Sequence, residues 1–412
     1  MKRKLSVLSL LLVASLLLAA CPPPQAAAPA AGGSSAHAAA ETIHVYSSLP
    51  LTGSSAGQTT TIVNAINLAL EQQTKDGVIC DGKLKIEYTS LDDATAAAGK
   101  WDAAKEQENA NKAVADPDAM VYIGTFNSGA ARVSIPILNQ ANLAMISPAN
   151  TAIDLTKGTD TAKYYPTGKR SYMRVVAADD FQGAFAAKWA NKMGAKNVYI
   201  LDDTEVYGKG VADQFQKNAE TLGVKVAGRD GIDGKAADYK ALATKIAGTN
   251  PDMIYYGGIT QNNAGQLLKD IRAAGIKAPF MGPDGILEKA FIDAAGADIA
   301  DGAYATVAGA AFDKLPDKGK KFYDDYQKKY NGKPEAYAIY GYEAASVVIA
   351  TLSKVCKKDR AAVLDALFTT KDFEGALGKW SFDANGDTTL FGMIGNQVTG
   401  GEWKEVSADK LP

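Results

Sequence analysis

From residue 43 onward, apolar positions switch between two periods. Short runs of β-branched and aromatic residues predict strands at 43–49, 84–90, 120–124 and 143–147. Between them the spacing becomes helical. Ile62, Ile66, Ala69 and Leu70 share one face of a helix over 62–73, and further helices are predicted at 103–114, stopped before Pro117, and around 131–140. A polar stretch rich in Thr, Lys and Gly, 154–170, reads as a connection. A second series then follows, with strands at 197–202, 224–228, 253–257 and 280–282 and helices at 207–222, 239–247, 264–274 and near 287–294. The last part differs in texture: one strand at 303–307, helices at 318–330, 335–355 and 361–369, and two short strands at 379–382 and 390–396. Strand–helix alternation predicts parallel sheets with helices on their faces. No repeat of about 20–50 residues is visible, which excludes a solenoid.

Size turns this pattern into an architecture. About 370 of the 412 residues follow the first strand's start, too many for one core. The expected class is α/β, with two Rossmann-like lobes joined by a three-segment hinge. The first lobe is assigned 41–165 plus 303–375, and the second 174–301 plus 376–412.

The amino-terminal residues have another character. Lys2, Arg3 and Lys4 precede an apolar run, 5–20, that is too short to span a bilayer and ends at Pro22, Pro23 and Pro24. Residues 1–20 therefore read as a signal peptide. Leu18, Ala19, Ala20 and Cys21 resemble a bacterial lipobox, which implies a lipid on Cys21 and attachment to the membrane from outside the cytoplasm. Residues 21–40 hold Pro, Ala, Gly and Ser without periodicity, a composition that cannot bury a core and predicts a disordered tether. Its reach is roughly 25 Å.

Charge and cysteine content exclude several classes. Lys and Arg number 44 against 46 Asp and Glu, with no basic stripe, so nucleic acid is not an expected partner. Of three cysteines, Cys80 and Cys356 remain besides Cys21. They form a disulfide or stand as two separate thiols; sequence supplies no distance to decide.

Motifs for catalysis and cofactors fail on inspection. Gly53-Ser54-Ser55-Ala56-Gly57 fits a nucleophile elbow, but such a hydrolase needs a His after the Ser, and the two histidines, His37 and His44, both precede Ser55. The chain is expected not to be an enzyme. Asp383-Ala384-Asn385-Gly386-Asp387 begins like a calcium loop, yet its Gly is misplaced and no Glu closes it, so a turn is expected. Two histidines and no close cysteine pair leave no zinc site, and no phosphate-binding loop appears. No cofactor is expected.

Polar residues recur instead where predicted strands end, the place at which open α/β sheets bind ligands. Gly124-Thr125-Phe126-Asn127-Ser128-Gly129-Ala130 precedes a helix, whose first amides favour an anion. Ser147-Pro148-Ala149-Asn150-Thr151 follows the next strand. Asp202-Asp203-Thr204 precedes Tyr207, Gly257-Gly258 precedes Ile259 and Thr260, and Pro283 precedes Asp284.

These segments, with Leu51-Thr52-Gly53, Tyr207-Gly208-Lys209-Gly210 and Met281-Gly282-Pro283-Asp284-Gly285, resemble in order and spacing the type I periplasmic binding proteins of branched-chain amino acid ABC transporters. The resemblance covers essentially the whole chain after the tether. It implies that Ser128, the Ala149 backbone and Thr151 hold an α-carboxylate and part of an α-ammonium, that Asp284 stands where the family usually has a Glu for the ammonium, and that Tyr207 covers the ligand from the second lobe. Asn127 and Thr260 are further candidate ligand contacts. The implied action is capture of an α-amino acid, branched-chain or otherwise apolar, by hinge closure, followed by delivery to an ABC permease, with the receptor acting as a monomer. Two departures alter the side-chain pocket: Gln58-Thr59-Thr60-Thr61 and Ile259-Thr260 stand where aromatics are frequent. An amide, urea or aromatic acid ligand, or a sensor of the same fold, stays open as the alternative.

Overall fold

The computed structural model describes residues 40–412. Cys21, the signal 1–20 and the tether up to residue 39 lie outside the described residues.

The first part of the chain contributes β1 (Glu41–Leu49), α1 (Ala56–Gln73), β2 (Val78–Ile79), β3 (Leu84–Asp92), the strands β4 (Ala94–Thr95) and β5 (Lys100–Trp101) of a small hairpin, α2 (Ala103–Ala115), β6 (Ala119–Gly124), α3 (Ser128–Gln140), β7 (Ala144–Ser147) and β8 (Tyr172–Arg174). The middle contributes α4 (Asp179–Lys192), β9 (Asn197–Asp202), α5 (Val206–Thr221), β10 (Lys225–Gly231), α6 (Lys240–Gly248), β11 (Met253–Gly257), α7 (Ala264–Ala273), β12 (Phe280–Gly282), α8 (Lys289–Ala295), α9 (Ala297–Ala300) and β13 (Tyr304–Ala308). The remainder holds α10 (Asp317–Tyr330), α11 (Ala338–Val355), α12 (Arg360–Phe368), the hairpin β14 (Phe373–Gly375) and β15 (Gly378–Trp380), β16 (Met393–Thr399) and β17 (Glu402–Glu405).

Two sheets result. One has the order β2-β3-β1-β6-β7-β8, parallel except for β2. The other has the order β10-β9-β11-β12-β13-β16-β17, parallel until β16 and β17 join antiparallel. Every residue of β6 and of β11 is buried. That suits parallel strands covered on both faces, and explains why these runs are apolar without alternation. Helix starts are marked locally: Asp102 accepts hydrogen bonds from the amides of Ala104 and Lys105 at the start of α2, satisfying donors the helix leaves free. Among the described residues no helix is long and apolar enough to cross a membrane.

The two-lobed α/β class stands as expected, but the division of the chain between lobes differs. The strand expected at 303–307 in the first lobe is β13 of the second sheet, held between β12 and β16. Ala305, Thr306 and Val307 are buried there. Arg174, assigned to the second lobe, ends β8 in the first sheet. Most of 376–392 also stays with the first lobe, since Trp380 and Phe382 join its core and Asp387 bridges to Arg174. The chain therefore crosses between lobes near 175–178, 309–315 and 389–392. Local pattern could not reveal this, because strand partners are chosen by distant residues. Helix α4 lies in 179–192, where no element was expected: its Ala and Gly residues give no clear apolar stripe.

Cys80 and Cys356 are bonded, with Cα atoms 5.7 Å apart. The bridge ties the turn before β3 to the end of α11 across a separation of 276 residues. Closing so long a loop constrains the unfolded chain, by about 2–5 kcal/mol. Replacing both cysteines by serine is expected to lower the melting temperature measured by scanning calorimetry, while ligand affinity is kept because the bridge lies away from the strand ends. An unchanged melting temperature would show that the bridge is not formed in solution.

Candidate functional site

The site is built from loops at the carboxyl ends of strands in both sheets. On the first lobe, the loops after β6 and β7 are locked together. Ser147 Oγ accepts from the amides of Ala149 (3.1 Å) and Asn150 (2.8 Å) and donates to the Thr125 carbonyl (2.9 Å). Asn150 Nδ2 donates to the Phe126 carbonyl at 3.0 Å. Ser128 Oγ accepts from the Ala152 amide at 3.2 Å. This mesh fixes the amino-terminus of α3, whose first amides have no partner within the helix and present partial positive charge. Asn127 precedes that helix without capping it, and its Oδ1 is buried without a hydrogen-bond partner.

The second lobe supplies a carboxylate. Asp284, in the turn after β12, is buried. Its Oδ1 accepts from Gln182 Nε2 and from the Tyr207 hydroxyl (2.8 Å), and its Oδ2 accepts from the Tyr337 hydroxyl (2.5 Å). Tyr337 belongs to the first lobe, so this last bond crosses the cleft. Burial pushes the Asp284 carboxyl up, and the three donors pull it back only in part. All three donors are neutral. A carboxylate has about four acceptor positions, so one remains for a cationic donor. Burial also pushes Asp179 well above the usual carboxylate range; its amide donates to the Thr151 carbonyl at 2.9 Å.

Phe126, Asn127, Ser128, Ala149, Thr151, Tyr207, Ile259, Asp284, Gly285 and Tyr337 enclose one cavity. Of the residues singled out in the sequence, Asn127, Ser128, Ala149, Thr151, Tyr207 and Asp284 come together here. Thr260 does not: its hydroxyl is turned to the Gly285 carbonyl, 3.2 Å away, and supports the turn from behind. Tyr337 and Gln182 were not anticipated; Phe126, whose ring meets that of Tyr337 edge to face at 5.7 Å, lies in the loop singled out after β6 without having been assigned a ligand contact. Tyr337 precedes α11 with no motif around it, and Gln182 lies in the unexpected helix α4. The cavity measures about 20 Å³. Ligand pockets usually hold about 300–1,000 Å³, so the cleft between the lobes stands closed.

Other features have plainer roles. The larger groove beside α1, α10 and α11 is lined by groups that already pair with each other, Gln72 with Asp325 (2.7 Å) and with Tyr342 (2.8 Å). His44 lies in β1, bonded to Asp116 at 2.5 Å rather than near Ser55. His44, Asp116 and Asp118 have the spacing of a metal group, but Lys358 already pairs with Asp118 and Tyr46 donates to Asp116. The segment expected as a turn is one: Asp383 Oδ1 accepts from the amides of Asn385 and Asp387.

The profile of the family described as "Periplasmic binding protein" matches residues 42–402. The chain belongs to that family. Its relatives include the leucine-, isoleucine-, valine-, threonine- and alanine-binding protein of Pseudomonas aeruginosa, 29% identical over 86% of this chain and 89% of that protein. The Leu/Ile/Val-binding protein BraC3 of Rhizobium johnstonii is 31% identical over 82% of this chain and 87% of its own length. A crystal structure of the branched-chain amino acid transporter substrate binding protein LivJ from Streptococcus pneumoniae, in complex with isoleucine, superposes with a TM-score of 0.75 at 26% identity. That likeness covers 89% of this chain and 100% of that one. Among periplasmic binding proteins, then, this chain has the two-lobed architecture complete, with its cavity between the lobes.

Proposed function

We propose that the protein captures an α-amino acid outside the cytoplasm and hands it to the permease of an ABC transporter. The observation that carries this reading is the polarity of the cavity. The free amides of α3, with Ser128, lie on one side, and the buried Asp284 carboxylate lies on the other. A zwitterion needs both charges met when it leaves water, since an unpaired buried charge is very costly. Hydroxyls and amides suit the carboxylate, and Asp284 suits the ammonium. Phe126, Tyr207, Ile259 and Tyr337 offer an apolar enclosure for the side chain. Relatives that bind leucine, isoleucine and valine support the choice of an apolar amino acid. Closure follows from geometry: only with the lobes together do Ser128, Thr151 and Asp284 face one ligand, so binding favours the closed form. A lipid on Cys21 and the tether behind it would keep the receptor near the membrane, acting as a monomer.

A thermal-shift panel on the chain from Ala40 tests the ligand class. That part carries both sheets and their cores. A ligand at 100 times its Kd stabilises by about 2.7 kcal/mol, a rise of about 3–4 °C for a protein of this size. Apolar amino acids are expected to raise the melting temperature. A rise with amides, urea or aromatic acids and none with amino acids would replace this reading.

A further inference from the structure

The lobes also meet beside the ligand cavity. The hairpin of β4 and β5 leaves the end of β3 and rests on the loop before α1 and on the first turn of α3. Gly53, with φ +91°, lies so close to its turn that a Cβ there would fall 2.0 Å from the Gly99 carbonyl oxygen. Trp101, at the hairpin's end, covers the first turn of α3, where a Cβ on Gly129 would come 2.5 Å from the indole. Gly129 is the neighbour of Ser128, so the hairpin is packed against the subsite proposed for the carboxylate.

From this platform two side chains reach the second lobe. Lys100 Nζ pairs with Glu205 and donates to Asn262 Oδ1 at 2.7 Å. Trp101 Nε1 donates to Glu205 Oε2 at 3.2 Å. The side chains of Lys100 and Glu205 are only 23% and 25% exposed, which limits screening by water and salt. The receiving groups are held in place by the buried Asp203. Its Oδ1 accepts from the Glu205 amide (3.1 Å), and its Oδ2 accepts from Asn262 Nδ2 (2.7 Å) and from the amide of Ile259 (3.1 Å). Ile259 walls the ligand cavity. One carboxylate thus positions both the bridge and part of the pocket.

We propose that Lys100, Trp101, Glu205 and Asn262 form a latch that sets how long the closed receptor retains its ligand. This rests on reading the cleft as an amino-acid site closed by lobe movement. The latch residues line no part of the ligand cavity, so they act through the closed form alone. Charge-assisted hydrogen bonds made only in that form slow its opening, and the effect appears in ligand release.

The test uses the chain from Ala40 with L-leucine as probe. Lys100→Glu is expected to weaken binding by about 5- to 50-fold, mostly through faster release in stopped-flow measurements. Adding Glu205→Lys is expected to restore most of the loss, which a merely structural role would not do. Release rates within twofold of the parent, or a double variant as weak as the single, would overturn the latch. If L-leucine binds neither parent nor variant, the amino-acid reading fails by itself, and the latch is then read without ligand. A Lys100→Cys/Glu205→Cys pair is expected to cross-link internally with a short bis-maleimide as the lobes close. No cross-link would overturn the proposal.

Discussion

Asp284→Asn is expected to weaken amino-acid binding by about 2–5 kcal/mol, roughly thirty-fold to several thousand-fold. Asp284 is the one carboxylate among the residues enclosing the cavity. Asn keeps the shape of the side chain but cannot offset an ammonium, which would then be buried against neutral dipoles alone. Titration calorimetry reads the loss directly. The same change should act in the opposite direction on the unliganded fold as pH rises. Burial raises the Asp284 carboxyl above its ordinary value. A raised carboxyl means that the folded state holds its proton more tightly than the unfolded state does. Ionisation therefore costs stability, progressively, as pH climbs from the usual carboxylate range through the raised value. The difference in melting temperature between variant and parent should move in the variant's favour across that window. A difference that is flat with pH would mean that Asp284 is not a strained charge.

The second large effect lies where the chain first leaves the first sheet. Arg174→Met is expected to destabilise the protein by about 3–5 kcal/mol, about 4–6 °C in melting temperature for a chain of this length. Arg174 is fully buried. Its Nε donates to Asp387 at 2.7 Å, Nη1 to the carbonyls of Asn150 (3.2 Å) and Ala152 (2.8 Å), and Nη2 to Thr156 Oγ1 at 2.6 Å. Removing it strands the Asp387 carboxylate, with only Lys157 at 3.0 Å, and frees the loop that carries Ala149 and Thr151. Burial pushes the Asp387 carboxyl up, but Arg174 and Lys157 outweigh it and hold it below the usual range. Stability from this pair is therefore present above the ordinary carboxylate pKa and lost as pH falls through the depressed value. The variant's deficit should shrink in acid. Arg174→Met/Asp387→Leu should recover part of the loss, because it leaves no buried charge unpaired. A deficit below about 1 kcal/mol would show that the network is not what holds this loop.

The sequence makes the element order and the first-lobe half of the site legible for the same reason. Strands such as 119–124 are apolar throughout because both faces are covered, and the small polar residues that follow them are conspicuous against that background. Ser128 and Thr151 stand out in this way, and so does Asp284 after β12 on the second lobe. What stays hidden depends on partners far along the chain. Residues 303–307 read as a strand, but only pairing with β12 and β16 decides which sheet takes them. Arg174 and Asp387 look like ordinary charges until folding brings them together across 213 positions. Tyr337 and Gln182 complete the Asp284 site from a turn and a helix without a motif. Thr260 looks as polar as Thr151, yet its hydroxyl serves the backbone of a neighbouring turn.

The proposed function requires the cavity to hold both charges of an α-amino acid between α3 and Asp284. Titration calorimetry of the chain from Ala40 tests it most directly, using L-leucine beside two analogues, one lacking the ammonium (4-methylpentanoate) and one lacking the carboxylate (isoamylamine). L-leucine is expected to bind and both analogues to be weaker by at least about a hundredfold, since each leaves one buried group of the site unpaired. Binding of 4-methylpentanoate as tight as that of L-leucine would contradict it.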